Sequence, residues 1–242
     1  MAFYKIAELV VEFQNRFDFL TKQCAEYEYT GAASPELTVR VTDEDLRRER
    51  NFSPERNYPE GYLESVCACR KLCVELPRYE GLLMHGSVIE CRGRGIAFLA
   101  RSGVGKTTHT LLWKQVYGDQ VRIINGDKPI VRFRDGVPYA WGTPWAGKEN
   151  LQCNRRTPLT DICFLERAPE NAVFQIRPEE GLNGVMQQIL IPPEPEMAEK
   201  TLELLDKLLG SCRIWVIRCN ISQDAAKLAH DTILGEKHEA EI

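Results

Sequence analysis

The stretch that decides the fold runs Gly95-Ile96-Ala97-Phe98-Leu99-Ala100-Arg101-Ser102-Gly103-Val104-Gly105-Lys106-Thr107-Thr108. A short apolar run enters a glycine-rich loop, and an amphipathic run, Lys106–Tyr117, leaves it and stops at Gly118. That is a strand, a phosphate-binding loop and a helix closed by a C-terminal glycine. Gly103 and Gly105 let the backbone turn its N–H groups inward, and the helix start adds its positive dipole end. Arg101, Ser102, Gly103, Val104, Gly105, Lys106, Thr107 and Thr108 form the expected nucleotide cradle. Lys106 places a point charge on the β- and γ-phosphates, and the Thr107 hydroxyl is a Mg²⁺ ligand. One position departs from G-x-x-x-x-G-K-[ST]: Ala100 stands where the first glycine would be.

Working outward, Val121-Arg122-Ile123-Ile124-Asn125-Gly126-Asp127 is an apolar strand that ends in a carboxylate. Asp127 is placed to hold Mg²⁺ or to accept a proton from a substrate hydroxyl. On the other side, Ser87–Cys91 and Gly95–Ala100 pair through Arg92-Gly93-Arg94 as a hairpin. Pro129–Arg134 and Val137–Trp141 pair across Asp135-Gly136. Leu159–Glu166 and Arg213–Cys219 are further strands. Amphipathic helices fall near Glu179–Leu190, Glu194–Leu209 and Gln223–Leu234, and Gly235–Ile242 is a polar tail expected to fray.

Residues 1–80 read as a separate α+β region, residues 81–234 as the phosphate-loop domain. Lys5–Phe13 and Pro35–Val41 are its strand candidates, and Asp43–Asn51 is a solvated turn or short helix. A breaker at Asn57-Tyr58-Pro59-Glu60-Gly61 precedes a helix over Tyr62–Leu76. Leu63, Val66, Cys69, Cys73 and Leu76 share its buried face, with Cys67 pointing away. The three cysteines read as structural rather than metal-ligating. Trp113, Trp141 and Trp215 read as core, and the role of His109 stays open.

Composition narrows the partners. The 242 residues are 43% hydrophobic and 27% charged, with a net charge of −4. The first 80 residues hold 11 basic and 15 acidic side chains, and the rest balance at 20 of each. No basic excess exists for a nucleic-acid surface, so bound anions need a local site. No apolar run approaches the ~18 residues of a membrane span. The acidic residues of the first segment do not suit a signal peptide. Nine cysteines without framework spacing fit reduced thiols in a cytoplasmic protein. A homo-oligomer is compatible with this composition.

Met84-His85-Gly86-Ser87-Val88-Ile89, the Ser-Gly-Val-Gly-Lys-Thr-Thr loop and the strand ending Asn-Gly-Asp-Lys-Pro together carry a resemblance. Over about Leu82–Arg167 the chain resembles the C-terminal catalytic domain of HPr kinase/phosphorylase and the nucleotide-binding core of ATP-dependent phosphoenolpyruvate carboxykinase. It also resembles small, uncharacterised bacterial proteins of that superfamily, which carry a segment matching Gly142-Thr143-Pro144-Trp145-Ala146-Gly147-Lys148. The resemblance implies an α/β fold: a mixed-sheet phosphate-loop core of the carboxykinase/HPr kinase type with a small N-terminal α+β region. It implies His85 beside the transferring phosphate and an acidic pair at the strand end as base and metal ligand. Gly126 stands where the first carboxylate of that pair falls, leaving Asp127 alone.

The expected activity is therefore an ATP- and Mg²⁺-dependent kinase acting on a hydroxyl, of a serine in a peptide or protein or of a small alcohol. Lys106 and the loop amides hold phosphates, Thr107, Asp127 and Glu149 the metal, and Asp127 or His85 the proton. Trp145, Lys148 and Arg155 are substrate-side candidates, with Arg155 and Arg156 a potential clamp on a phosphoryl oxygen. Two other readings stand beside it. Gly126 motivates a nucleotide-binding regulatory module without turnover, and restoring Asp there is expected to separate the two. A carboxykinase-like lyase would need a metal cage and a dicarboxylate-binding Arg that the sequence does not display.

Overall fold

Ala7 and Glu8 interrupt the first apolar run with paired left-handed residues, φ 49° and 66°. In the computed structural model, which describes residues 2–52 and 54–235, the run is consequently a hairpin rather than the one strand expected over Lys5–Phe13. Strand β1 (Ala2–Ile6) pairs antiparallel with β2 (Leu9–Gln14), and β3 (Leu37–Arg40) adds parallel to β2. Helix α1 (Asp18–Gln23) lies between β2 and β3 in sequence, and α2 (Asp43–Phe52) follows β3. The acidic–basic run of α2 is helical because its charges pair along one face, as Arg48 does with Glu44 at 3.0 Å.

Helix α3 (Glu60–Glu75) starts two residues before the expected Tyr62 and is buried on more than one side. Beyond Leu63, Cys69 and Cys73, it buries Glu64, Cys67, Ala68 and Leu72. Cys67, expected to point away, is buried as well, with its sulfur 3.6 Å from the Asp45 carbonyl of α2. The single-stripe expectation failed because two elements pack on this helix. Glu64 is fully buried and accepts the backbone N–H groups of Arg16 and Phe17 at 2.8 and 3.1 Å, fixing the start of α1.

The chain then builds a nine-stranded mixed sheet: β4 (Gly81–Leu83), β5 (Ser87–Cys91), β6 (Arg94–Leu99), β7 (Val121–Asn125), β8 (Ile130–Arg134), β9 (Val137–Trp141), β10 (Arg156–Arg167), β11 (Ala172–Ile176) and β12 (Arg213–Cys219). The order is β4-β8-β9-β10-β6-β5-β7, with β12 also beside β10 and β11 beside β12. β6, β10 and β12 run parallel, and the other pairings are antiparallel. β10 serves two groups of strands: Arg156–Pro158 pairs with β9, Leu159–Phe164 pairs with β6 with a register shift between Leu159 and Asp161, and β12 joins from Asp161 onward.

Asp161 at this shift is fully buried and satisfied by Arg94, Arg213 and the Trp215 indole at 2.5–2.9 Å. Both arginines also donate to the Ile233 carbonyl. Helices α5 (Pro178–Met186) and α6 (Pro195–Ser211) cover one face of the sheet through Val185, Leu204 and Leu208. Helices α4 (Lys106–Tyr117) and α7 (Gln223–Leu234) cover the other through Trp113, Ala229 and Ile233. The apolar cluster of β1–β3 and α3 continues into Leu83, Ile130, Trp141 and Trp145. Residues 236–242 of the expected tail lie outside the described residues.

Candidate nucleotide and phosphoryl-transfer site

The loop leaves the end of β6 and enters α4 with Gly103 at φ 81° and Gly105 at φ 124°. A Cβ at either glycine would meet nothing within 4 Å, so backbone conformation, not space, demands glycine. Ala100 is buried in the core at the strand end, and its carbonyl accepts from Lys106 Nζ at 2.9 Å. Burial pulls the Lys106 amine down, partly offset by Asp127. Arg167 at the end of β10 braces the outside of the loop, its Nε donating to the Val104 carbonyl at 2.9 Å and a terminal nitrogen to that of Gly103. Sequence reading did not single out Arg167, which is brought to the loop only by the β6–β10 pairing.

The carboxylate side is shaped by Asn125. Its Oδ1 accepts the backbone N–H groups of Asp127 (2.9 Å) and Lys128 (2.7 Å), while its Nδ2 donates to the Thr143 carbonyl at 3.0 Å. One buried side chain thus sets the turn that presents Asp127 and ties it to the Gly142–Lys148 segment. Gly86 N–H donates to the Asp127 carbonyl at 2.9 Å, placing His85 alongside. His85 Nε2 lies 3.4 Å from Asp127 Oδ1, and its Nδ1 is 3.0 Å from the Gln188 amide oxygen. Lys128 Nζ lies 2.5 Å from Asp127 Oδ2. Burial disfavours the Asp127 carboxylate, but the His85 hydrogen bond and the Lys128 charge outweigh it and hold the carboxyl well below its usual range. Lys128 is raised in turn: burial opposes its charge, and Asp127 more than compensates. Both Asn125 and Lys128 belong to the stretch that carries the motif: Asn125 is a local turn signal and Lys128 the sequence neighbour of Asp127, though the motif itself assigns a role to neither.

Thr107, Asp127, Trp145, Lys148 and Glu149 line one cleft of about 660 Å³, together with Lys128 and residues of the N-terminal region. A Cβ built at Gly147 would lie 3.3 Å from the Asp127 Cβ and 3.8 Å from Glu149 Oε2, so both side chains border this glycine. Trp145 is also an anchor: it is buried, packs edge-on against Phe13 at 6.2 Å, and donates to Ser65 Oγ at 3.0 Å. Arg155 is exposed and is not among the residues lining the cleft. Arg156 lies over the Tyr139 and Trp141 rings at 4.5 and 5.1 Å and pairs with Glu8. Gly126 is enclosed, since a Cβ there would sit 3.0 Å from the Ala146 carbonyl and 3.2 Å from Leu151 Cβ.

A second cavity, about 490 Å³, opens on the other side of the loop. Val104, Thr108, His109 and Leu112 form one wall, and the segments after β10 and β12, including Pro169 and Ile221, form the other. It therefore lies at the carboxyl ends of parallel strands, where open α/β sheets bind ligands. Ile221 is 80% exposed. Burial takes His109 down to about 4. Its Nε2 accepts from the Trp113 indole at 3.0 Å, which requires the neutral ring, and its Nδ1 has no partner among the described residues. Trp113, Trp141 and Trp215 are all buried, as expected of core residues.

Among the described residues no group of three or more His, Cys, Asp or Glu side chains is placed to hold a metal by itself, all nine cysteines are free, and no helix is long and apolar enough to cross a membrane. A single carboxylate or pair suits Mg²⁺, which keeps waters and takes phosphate oxygens for its remaining positions. No family model matches the sequence, and no curated protein matches it. Among solved structures, the chain is similar to the HPr(Ser) kinase/phosphatase from Coxiella burnetii, with 9% identity over 63% of this chain and 96% of that one and a TM-score of 0.37. The α/β, mixed-sheet architecture stands on the chain's own strands and helices.

Proposed function

We propose that this chain is an ATP- and Mg²⁺-dependent phosphotransferase acting on a hydroxyl. The observation that carries the reading is the position of the loop between two cavities: Thr107 lines the one holding Asp127 and Glu149, and its neighbour Thr108 lines the apolar one. A triphosphate laid along the loop amides would put its base in the apolar cavity and its terminal phosphate beside Asp127. Thr107, Asp127 and Glu149 would hold Mg²⁺, which when bound neutralises charge on the phosphates.

The chain's own residues then do the positioning. Lys106 would meet phosphate oxygens, and the loop N–H groups, freed by Gly103 and Gly105 at positive φ, would turn toward them. Asp127, held ionised, accepts the hydroxyl proton directly or shares it with His85 at 3.4 Å. Such a site works by orientation and preorganised charge. The enclosed Gly126 favours one second reading, a nucleotide-binding regulatory module without turnover. The test is ADP release with hydroxylated acceptors: acceptor-dependent turnover by the wild type, and its loss in Asp127→Asn, supports a kinase. Tight Mg·ATP binding with no turnover on any acceptor supports the regulatory module.

A further inference from the structure

The phosphoryl-transfer cleft is walled on its far side by residues that precede position 80, and their chemistry specifies an acceptor. Phe19 of α1, Tyr62 of α3 and Tyr58 ahead of it form a continuous aromatic surface. The Phe19 and Tyr62 rings meet at 5.9 Å and 81°, and those of Tyr58 and Tyr62 at 4.7 Å and 35°. Phe19 and Tyr62 remain 42% and 37% exposed, which is apolar surface the fold itself does not cover.

Cations complete the wall. Arg56 donates to the Tyr58 hydroxyl at 2.8 Å, and neither Arg56 nor Lys148 has a carboxylate within salt-bridge distance among the described residues. Arg70, which also lines the cleft, is by contrast neutralised by Glu49 at 2.8 Å and lies over Phe52. Asp127 is already engaged by Lys128 and His85. Beside the rings the cleft thus offers the guanidinium of Arg56, with Glu55 as its acidic neighbour, while Lys148 and Glu149 lie on the side of Asp127. Its volume of about 660 Å³ is that of a small-molecule site rather than a groove for a folded partner.

Resting on the phosphotransferase reading, we infer that the acceptor is a small hydroxy acid with an aromatic body. Its ring lies on Tyr62 and Phe19, its carboxylate faces Arg56, and its hydroxyl points at Asp127. In the transfer the hydroxyl oxygen bonds to the γ-phosphorus as the bond from that phosphorus to the β–γ bridging oxygen breaks. ADP carries away the electron pair, and the hydroxyl proton passes to Asp127 or His85. The N-terminal region is then the acceptor-selecting part of the enzyme.

The test uses the full chain with Mg²⁺ and a non-hydrolysable ATP analogue, whose binding is measured first by calorimetry. Three probes are then titrated: 3-phenyllactate, the neutral 3-phenylpropane-1,2-diol, and lactate, which lacks the ring. Phenyllactate binds tighter than either by about tenfold, the worth of one charge-assisted hydrogen bond or one ring contact. Arg56→Gln removes its advantage over the diol, and Tyr62→Ala its advantage over lactate. Should Tyr62→Ala melt early, Phe19→Ala tests the same wall. Equal binding of the three probes, no binding of any, or a preference untouched by Arg56→Gln overturns the inference while leaving nucleotide binding intact. Failure of the ATP analogue itself to bind overturns both readings.

Discussion

His85 and Asp127, far apart in sequence, meet side chain to side chain, with Nε2 3.4 Å from Oδ1, and Lys128 closes on the other carboxylate oxygen at 2.5 Å. The carboxylate is therefore flanked by a potential proton partner and a fixed cation. Asp127→Asn keeps the shape and removes the charge, so kcat falls by about 10²–10⁴-fold, the usual worth of a positioned acid–base group. Lys128→Met removes the cation that helps depress the Asp127 carboxyl. The carboxyl then rises, and the acid limb of the kcat/KM profile moves to higher pH. A profile unmoved by Lys128→Met would mean that the pair does not govern the reaction.

Gly126 is where the resemblance to HPr kinase implies another carboxylate, but the Ala146 carbonyl and Leu151 already occupy its surroundings. Gly126→Asp consequently presses on the segment that carries Lys148 and Glu149. It lowers the melting temperature and does not raise activity, as thermal unfolding and an ADP-release assay would show together. The substitution is thus no clean way to distinguish a kinase from a regulatory module, contrary to what the sequence suggests.

His109 ties pH to stability. Its pKa is lowered by burial to about 4 from an ordinary 6.5, so the native state prefers the neutral ring. Below pH 6.5 the unfolded chain takes up the proton first, and stability falls as pH drops from 6.5 toward 4. Above 6.5 the contribution is fully present. The difference is on the order of 3 kcal/mol. Urea unfolding between pH 4.5 and 7 should show this slope in the wild type and a shallower one in His109→Gln.

Asp161 is a structural hub. Asp161→Ala leaves Arg94 and Arg213 facing a buried position without their partner. Breaking a fully buried pair costs about 3–5 kcal/mol; here both guanidiniums keep some solvent and the Ile233 carbonyl, so the loss falls toward or below the lower end of that range. Denaturant unfolding of the two proteins measures it directly.

Much of the core was legible in the sequence because its signals are local. Lys106–Tyr117, Val137–Trp141, Arg213–Cys219 and Gln223–Leu234 have the boundaries that periodicity and breakers indicate. The turn at Ala7-Glu8 lacks glycine or asparagine, so the hairpin was hidden. Pro158 makes the start of β10 look like a break, whereas it is paired with Tyr139 at the end of the short β9–β10 ladder. β4 and α1 are too short to carry a period, and β11 has no fully buried residue to mark a face. At the site, Lys106, Thr107, Asp127 and His85 lie in motifs, and the fold brings them together. Asn125 and Lys128 act on Asp127 through local contacts at the strand end, whereas Arg167 and the wall of Phe19, Tyr58 and Tyr62 are brought to the site by tertiary packing. Arg155, attractive as a charge in sequence, is exposed and does not line the cleft.

The most direct measurement is thermal unfolding with increasing Mg·ATP for the wild type and Lys106→Ala. Binding through the loop stabilises the wild type by about 2.7 kcal/mol at a hundredfold excess over Kd, with little or no shift for the variant. Equal stabilisation of both proteins, or none of the wild type, would contradict the account.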